Sequence, residues 1–431
     1  MIKKLTQLAK KPFIRNVTVL ASGTAMAQMI TMIASPIITR IYGPEAFGVM
    51  GTFTAMIAII APVSALTYPI AIVLPERDKN ARGIIKLSII ITFILSMLSL
   101  IILLIFNQKI VGLFNIQEIA SFLFLVPLVI IFSGIVQVAE QWLIRTKHFT
   151  INARVRFLQS IIINSSKIGI GLINPVAAVL VVLSAVGNGL RAFMMIFYAT
   201  KSGIPLLEKR HILKKNKRKL KKLARKHYDF PLFRAPQVFL DAVTQGLPVL
   251  MLSSFFGPAS AGFYTIGRQV LRMPSSLIGQ AVGDVFYPRI AEAYNNKEDV
   301  TKLIRNATLG LAAVGAIPFG LVVLFGPFLF SLVFGADWTM AGEYARWIAL
   351  FSFAAFINRP SVRSLPVLDA QKFHLFYTVT WLIIRLGLLS VGYFVFSSDL
   401  VAIALFGMSG VVSNIGLITI TLQISKKKLQ K

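Results

Sequence analysis

The sequence predicts an all-α polytopic membrane protein with about twelve transmembrane helices. Hydrophobic residues make up 56% of the chain, charged residues 14%, and the mean hydropathy is +0.75. This balance excludes a water-soluble globular protein of 431 residues. Apolar stretches of about 20 residues, enough for a helix to cross about 30 Å of hydrocarbon, recur along the chain. They start near residues 17, 47, 84, 119, 153, 175, 231, 261, 303, 345, 373 and 400.

The first apolar stretch has two interpretations. Lysines precede it, and it contains Ala25-Met26-Ala27, an order typical of a secretory signal peptide. It nevertheless continues to Ile41, beyond the usual length of a signal peptide's apolar region, so we expect a spanning helix instead. The chain contains no cysteine, which excludes disulfides.

Basic residues concentrate in alternate loops. Because short cytoplasmic loops retain Lys and Arg during insertion, we expect the even-numbered loops and both termini to be cytoplasmic. The residues behind this assignment include Lys3, Lys4, Arg77, Arg82, Arg145, Lys147, Arg289, Lys297, Lys427 and Lys428. This topology explains most of the net charge of +29 without a nucleic-acid partner.

The densest basic run lies in residues 201–229. Leucines at positions 213, 220 and 223 recur there at approximately helical spacing among Lys and Arg. We expect a basic amphipathic helix on the anionic inner leaflet, in a cytoplasmic linker between two lobes. A solvated linker that only fixes topology is the alternative.

An internal repeat divides the spans into two groups of six. Residues 42–48 (YGPEAFG) and 256–262 (FGPASAG) share the order aromatic, Gly, Pro, three residues, Gly. A proline precedes each motif, and each following helix reaches a Tyr-Pro pair, at 68–69 and 287–288. We expect six-helix lobes at 1–200 and 230–431, related by a parallel pseudo-two-fold axis around a central cationic cavity.

Cations inside apolar segments mark the candidate site, because charge at membrane depth is costly. Arg268 and Arg272 lie one turn apart, about 10 and 16 Å from the predicted outer end of their span. The full set is Lys167, Arg191, Arg234, Arg268, Arg272 and Arg385. It predicts a pocket for an anion. The alternative for each cation is an internal ion pair with Glu140, Asp241 or Asp284.

Asn164 and Asn188 each lie three residues before a candidate cation. They predict contacts with hydroxyl groups of a ligand, and interhelical hydrogen bonds are the alternative. The histidines have no metal-ligand spacing and no phosphate-binding loop is present, so we expect no metal, cofactor or enzyme activity.

The chain resembles the polysaccharide-flippase branch of the multidrug, oligosaccharidyl-lipid and polysaccharide exporter superfamily. The resemblance rests on the six-plus-six plan, on residues 38–44 (ITRIYGP) and on 47–51 (FGVMG). It implies translocation of undecaprenyl-pyrophosphate-linked oligosaccharide across the bacterial cytoplasmic membrane, for O-antigen, capsule or a related glycan. Other polysaccharide assembly proteins are implied partners. Arginine binds phosphate oxygens bidentately, so Arg268 and Arg272 are the expected pyrophosphate clamp.

Two other functions remain open. A cation-coupled multidrug exporter of the same superfamily would need an acidic residue in the membrane, and the first helix has none. A membrane-embedded glycan-processing enzyme would need a sizeable external loop bearing acids or bases, whereas the predicted outer loops are short. The excess of basic residues favours an anionic substrate over a cationic drug.

Overall fold

The computed structural model describes the backbone of residues 12–114, 117–204, 206 and 217–429. Within these ranges the side chains at 12–21, 114, 118, 217, 219, 273–285, 288 and 429 are outside the description. Helices dominate the described residues, which contain no strand. The all-α prediction is therefore confirmed.

Long helices follow one another through short connections. In chain order they are α1 (Pro12–Ile60), α2 (Asp78–Phe114), α3 (Val126–Arg145), α4 (Phe149–Gly171), α5 (Ala177–Lys201), α6 (Lys217–Lys226), α7 (Ala235–Phe256), α8 (Pro258–Asn295), α9 (Val300–Phe334), α10 (Thr339–Ile357), α11 (Arg359–Ser364), α12 (Gln371–Phe394) and α13 (Asp399–Leu429). A 3-10 segment, Gln117–Leu125, leads into α3, and a short π-helix, Phe230–Arg234, leads into α7.

The protein is a multi-pass membrane protein. Among the described residues, eight helical segments are long and apolar enough to span a bilayer. The remaining predicted spans fall on the second arm of α1 and on α4, α8 and α10, so each predicted start lies in or within two residues of a helix. Charged residues inside α4, α8 and α10 lower the hydropathy of these three helices. The number twelve stays a prediction.

Two glycine elbows carry the repeated motif. Gly43 interrupts α1 with φ 68° and ψ 173°, and Gly257 precedes α8 with φ 89° and ψ 175°. This backbone region is almost exclusive to glycine. The following Pro44 and Pro258 each start a helical arm, where a missing N–H costs nothing. The two motifs thus share one conformation, as an internal repeat requires.

The two copies differ after the elbow. In the first copy the helix ends at Ile60, and a 3-10 segment, Tyr68–Val73, carries the Tyr-Pro pair. Thr67 before it is left-handed, with φ 57°. In the second copy α8 continues through the corresponding pair to Asn295. The sequence repeat therefore does not extend to equal helix lengths.

By contacts the chain divides into two compact units, Met1–Ser254 and Phe255–Lys431. The first includes nearly all of α7: Ser254 donates to the Leu113 carbonyl at 3.0 Å, and Gly246 lies close against Ile59. Each unit is a group of helices that pack together. The predicted boundaries at 200 and 230 follow the sequence repeat instead, and they stay a prediction.

Small residues let the helices of each unit approach closely. In the first unit, Gly134 of α3 lies against Thr92 of α2, beside an apolar core that includes Trp142. In the second unit, Gly326 of α9 and Gly342 of α10 cross backbone to backbone. Such contacts replace the hydrophobic effect, which is weak between helices surrounded by lipid.

Helix α6, Lys217–Lys226, lies within the predicted basic segment. Residues 207–216, which include Leu213, lie outside the described residues. The apolar side of α6 packs on α2, where Leu223 is buried against Gly83. Protein therefore covers the side that we expected to face lipid.

Candidate functional site

The second unit places two of the predicted cations on one face of α8. Tyr264, Arg268 and Arg272 follow at intervals of four residues, which is one helical face. Because α8 starts at Pro258, three residues earlier than expected, Arg268 and Arg272 lie about 15 and 21 Å along it at 1.5 Å per residue. Arg272 is exposed, and Arg268 is half-buried.

Arg385 of α12 joins this face through aromatic neighbours. Its guanidinium lies 4.9 Å from the centre of the Phe351 ring, a cation–π contact, and Nη2 donates to Ser413 Oγ. Phe351 packs edge-on against Phe406, whose ring meets that of the buried Tyr264. Tyr264 lies within electrostatic range of both Arg268 and Arg385. We call Arg268, Arg272 and Arg385 the arginine triad.

Two members of the triad, Arg272 and Arg385, have no carboxylate partner among the described residues. Arg268 and Arg272 lie close enough to repel each other. The Arg385 Nε is buried and has no hydrogen-bond partner in this part of the chain. Buried donors need acceptors, so the triad favours an anion with several oxygens.

The first unit contains a different cationic group, in which the charge is partly compensated. Glu140 of α3 accepts from Arg191 of α5, and its Oε1 also accepts from Arg156 Nη2 of α4 at 2.9 Å. Arg156 further donates to Thr24 and Asn152. The pairing confirms the ion-pair alternative for Arg191. Whether Arg191 also touches a substrate stays a prediction.

The sequence prediction placed Arg156 at the start of the fifth span, near residue 153, and did not include it among the candidate cations. Helix α4 instead starts at Phe149, so Arg156 lies two turns inside. The available signal was Asn152, four residues earlier, because an Asn–Arg pair at this spacing shares a helical face. With two arginines and one glutamate, the group keeps a net charge of about +1.

Lys167 lies beside the first elbow. Its backbone carbonyl accepts from Tyr42 Oη at 2.7 Å, which ties α4 to the residue before Gly43. The described contact of its ammonium is Met50 Sδ at 3.5 Å, a weak acceptor. Met50 lies in the second arm of α1. Lys167 thus places a half-buried positive charge where the two arms of α1 diverge.

Arg234 and Asp241 occupy the start of the seventh predicted span without pairing with each other. Arg234 is exposed and donates from Nη1 to Gln237 Oε1 at 2.9 Å. Asp241, two turns along, is also exposed. The two are therefore separate charges on α7 and its π-helical lead. The Asp284 side chain lies outside the described residues.

The polar candidates are held by helix contacts. Asn164 is buried, donating to the Ser160 carbonyl at 2.7 Å and to Thr31 Oγ1 at 3.3 Å. Asn188 donates to the Ser184 carbonyl, one turn earlier, at 3.3 Å. The Asn164–Thr31 bond fits the alternative of interhelical hydrogen bonds, whereas the Asn188 bond lies within its own helix. Contact with a ligand stays a prediction for both.

The comparison with protein families gives one match. Residues 37–343 match the model of a family described as "Polysaccharide biosynthesis protein". No curated protein matches the chain. The matched range contains the first elbow and both motif copies.

Solved structures share the fold across nearly the whole chain. One is a multidrug resistance MATE family transporter of the MOP superfamily, inward-facing, with TM-score 0.73, 14% identity, and coverage of 95% of this chain and 99% of that one. Another is the lipid II flippase MurJ, inward closed, with TM-score 0.71, 12% identity, and coverage of 95% and 90%. A third is a MOP superfamily transporter from Pyrococcus furiosus, with TM-score 0.60, 12% identity, and coverage of 96% and 95%. At these identities the likeness shows the fold.

Proposed function

We propose, from the premise that the chain belongs to the polysaccharide biosynthesis protein family, that it flips undecaprenyl-pyrophosphate-linked oligosaccharide across a bacterial cytoplasmic membrane. The product serves O-antigen, capsule or exopolysaccharide assembly. The observation that carries the proposal is the arginine triad of α8 and α12. Both termini face the cytoplasm, and the substrate enters from the inner leaflet.

A lipid pyrophosphate needs positive charge and hydrogen-bond donors, and the arginine triad provides both. Its charged oxygens lose water on entering a membrane protein, and that loss must be offset by close positive charge and hydrogen-bond donors. Arg272 is exposed and Arg385 keeps a buried Nε without an acceptor. Guanidinium forks fit phosphate oxygens in pairs. Chemistry is not required of the protein, because moving the lipid breaks no bond.

The fold supports lipid flipping without specifying the glycan. One protein that shares it is the lipid II flippase MurJ. Alternating access between the two repeats would carry the headgroup across while its polyprenyl tail stays in lipid. The sugar hydroxyls would meet polar side chains such as Asn188.

The decisive experiment exchanges Arg272. We expect Arg272→Ala to cause accumulation of pyrophosphate-linked oligosaccharide on the cytoplasmic leaflet, measured by mass spectrometry of polyprenyl lipids with a leaflet-specific label. Arg272→Lys should restore export only in part, because an ammonium cannot bind two oxygens in a fork. Arg305→Ala on the exposed start of α9 removes the same charge and is the control. Normal export by Arg272→Ala at normal abundance would refute the proposal.

A second candidate function is cation-coupled drug export. The MATE family transporter with TM-score 0.73 favours it as an alternative. Such export needs a carboxylate free to bind a proton or sodium, and Glu140 already accepts from two arginines. Asp241 is exposed on α7 and is the better candidate. Loss of drug resistance in Asp241→Asn, with unchanged polyprenyl lipids, would favour this function over flipping.

A further inference from the structure

Helix α6 has one apolar side, and that side is covered by protein. Leu223 is 8% exposed, and its Cδ1 reaches to 2.5 Å of the position that a Cβ on Gly83 would occupy. The Ala224 carbonyl accepts from Tyr68 Oη at 3.3 Å. Thr67 donates to the Phe230 carbonyl at 3.0 Å, just after α6. These contacts fix α6 to the first unit through α2 and the Tyr68–Val73 segment.

The opposite side of α6 is a basic surface. It consists of the exposed side chains Arg218, Lys221, Lys222, Arg225 and Lys226, which we call the α6 basic face. None of the five forms an ion pair with a described carboxylate. Five cations on a ten-residue helix repel one another, and anions nearby relieve that repulsion.

The position of α6 places this face at the level of lipid headgroups. The helix ends at Lys226, four residues before the candidate span that begins at Phe230. Its contact on α2, Gly83, lies five residues into another candidate span, Asp78–Leu113. Basic clusters immediately beside a cytoplasmic helix end attract anionic lipids.

We propose that the α6 basic face is a fixed binding surface for anionic phospholipid headgroups. An ordinary interfacial helix inserts its apolar side among acyl chains. Here that side is occupied by Gly83 and its neighbours, so binding is electrostatic and involves no insertion. The inference is independent of the substrate that the protein transports.

The test uses the full-length protein in nanodiscs that mix phosphatidylcholine and phosphatidylglycerol. Native mass spectrometry would compare the two lipids retained by the wild type and by a Lys221→Gln, Lys222→Gln, Arg225→Gln variant. We expect the variant's preference for phosphatidylglycerol to fall at least about tenfold. It should also fall for the wild type in high salt, because exposed charges are screened.

A matched triple variant tests whether the position of the removed cations matters, or only their number. Lys297→Gln, Lys302→Gln and Arg305→Gln remove three exposed cations near the start of α9 and should leave the preference near the wild-type value. Leu223→Ala keeps every charge and loosens α6, so we expect a several-fold loss. Equal losses in both triple variants would overturn the proposal, and so would full retention by the α6 variant. An acidic protein captured by α6 without any lipid preference would overturn it as well.

Discussion

Alanine substitutions at the two elbows test whether the two motif copies require a backbone conformation that only glycine adopts easily. At Gly43 and Gly257 a built Cβ meets nothing within 4 Å, so substitution causes no clash. Both residues nevertheless hold φ and ψ values that side-chain-bearing residues rarely adopt. We expect Gly43→Ala and Gly257→Ala each to add about 1–3 kcal/mol of strain to the folded state.

Part of that strain is offset in the unfolded chain. Alanine restricts the unfolded state and so stabilises any compatible site by about 0.4–1 kcal/mol. Gly310→Ala and Gly387→Ala provide the control, because both glycines lie in helices, have no positive φ, and leave open space for a Cβ. Since the unfolded-state effect is common to all four variants, the difference between elbow and control variants isolates the strain.

The assay is thermal unfolding in one detergent, followed by the fluorescence of the 4 tryptophans. Elbow variants should unfold at lower temperature than the wild type, and control variants at the same or higher temperature. Elbow variants as stable as the controls would show that the elbows relax into an ordinary helix and would refute the reasoning. A loss shared by all four would place the cause in the added methyl group rather than in backbone strain.

Three further predictions concern packing and charge. Glu140→Gln leaves two guanidiniums without a carboxylate and should lower the free energy of unfolding by about 1–3 kcal/mol, measured by chemical denaturation. The loss is smaller than for a fully buried pair because the Glu140 side chain is 20% exposed. Burial, together with Lys226, lowers the pKa of His227 below its usual range, so docking of α6 is stable near neutral pH and weakens as pH falls through the ordinary histidine pKa of about 6.5. Hydrogen exchange of α6 at two pH values would show this, and His227→Gln should remove the dependence. A Cβ on Gly342 would lie 2.4 Å from the Gly326 carbonyl oxygen, so Gly342→Ala should unfold earlier than Gly320→Ala, whose Cβ meets nothing.

The fold could be predicted from the sequence because hydrophobicity and the repeat are local signals. Every predicted span starts in a helix or within two residues of one, and the Gly-Pro motifs mark both elbows. Helix ends were harder to predict, as α8 shows by running through Pro288 to Asn295. Proline is expected to end a helix near its position, but packing of Ile290 and Ala293 against buried apolar neighbours continues this one.

Which cations meet could be predicted only within one helix. Arg268 and Arg272 share a face by spacing, and their proximity follows from helix geometry. The approach of Arg385 depends on α10 and α13, whose Phe351 and Phe406 rings line the contact. No spacing in the sequence encodes a contact among four helices. For the same reason, the sequence predicts Glu140 and Arg191 as site residues but does not predict that Arg156 joins them.

The two cationic groups differ in whether a carboxylate pairs with their arginines. In the first unit, Glu140 forms ion pairs with Arg156 and Arg191, which join α3, α4 and α5. These two arginines are therefore less available to a ligand. In the second unit, Arg272 and Arg385 have no such acid among the described residues. An unbalanced charge inside a membrane protein is stable only if an anion arrives or if water reaches it. Under the proposed function, a transported pyrophosphate would supply that anion for part of each cycle. Under the proposed function, Arg272 and Arg385 are therefore the residues whose charge a substrate would balance.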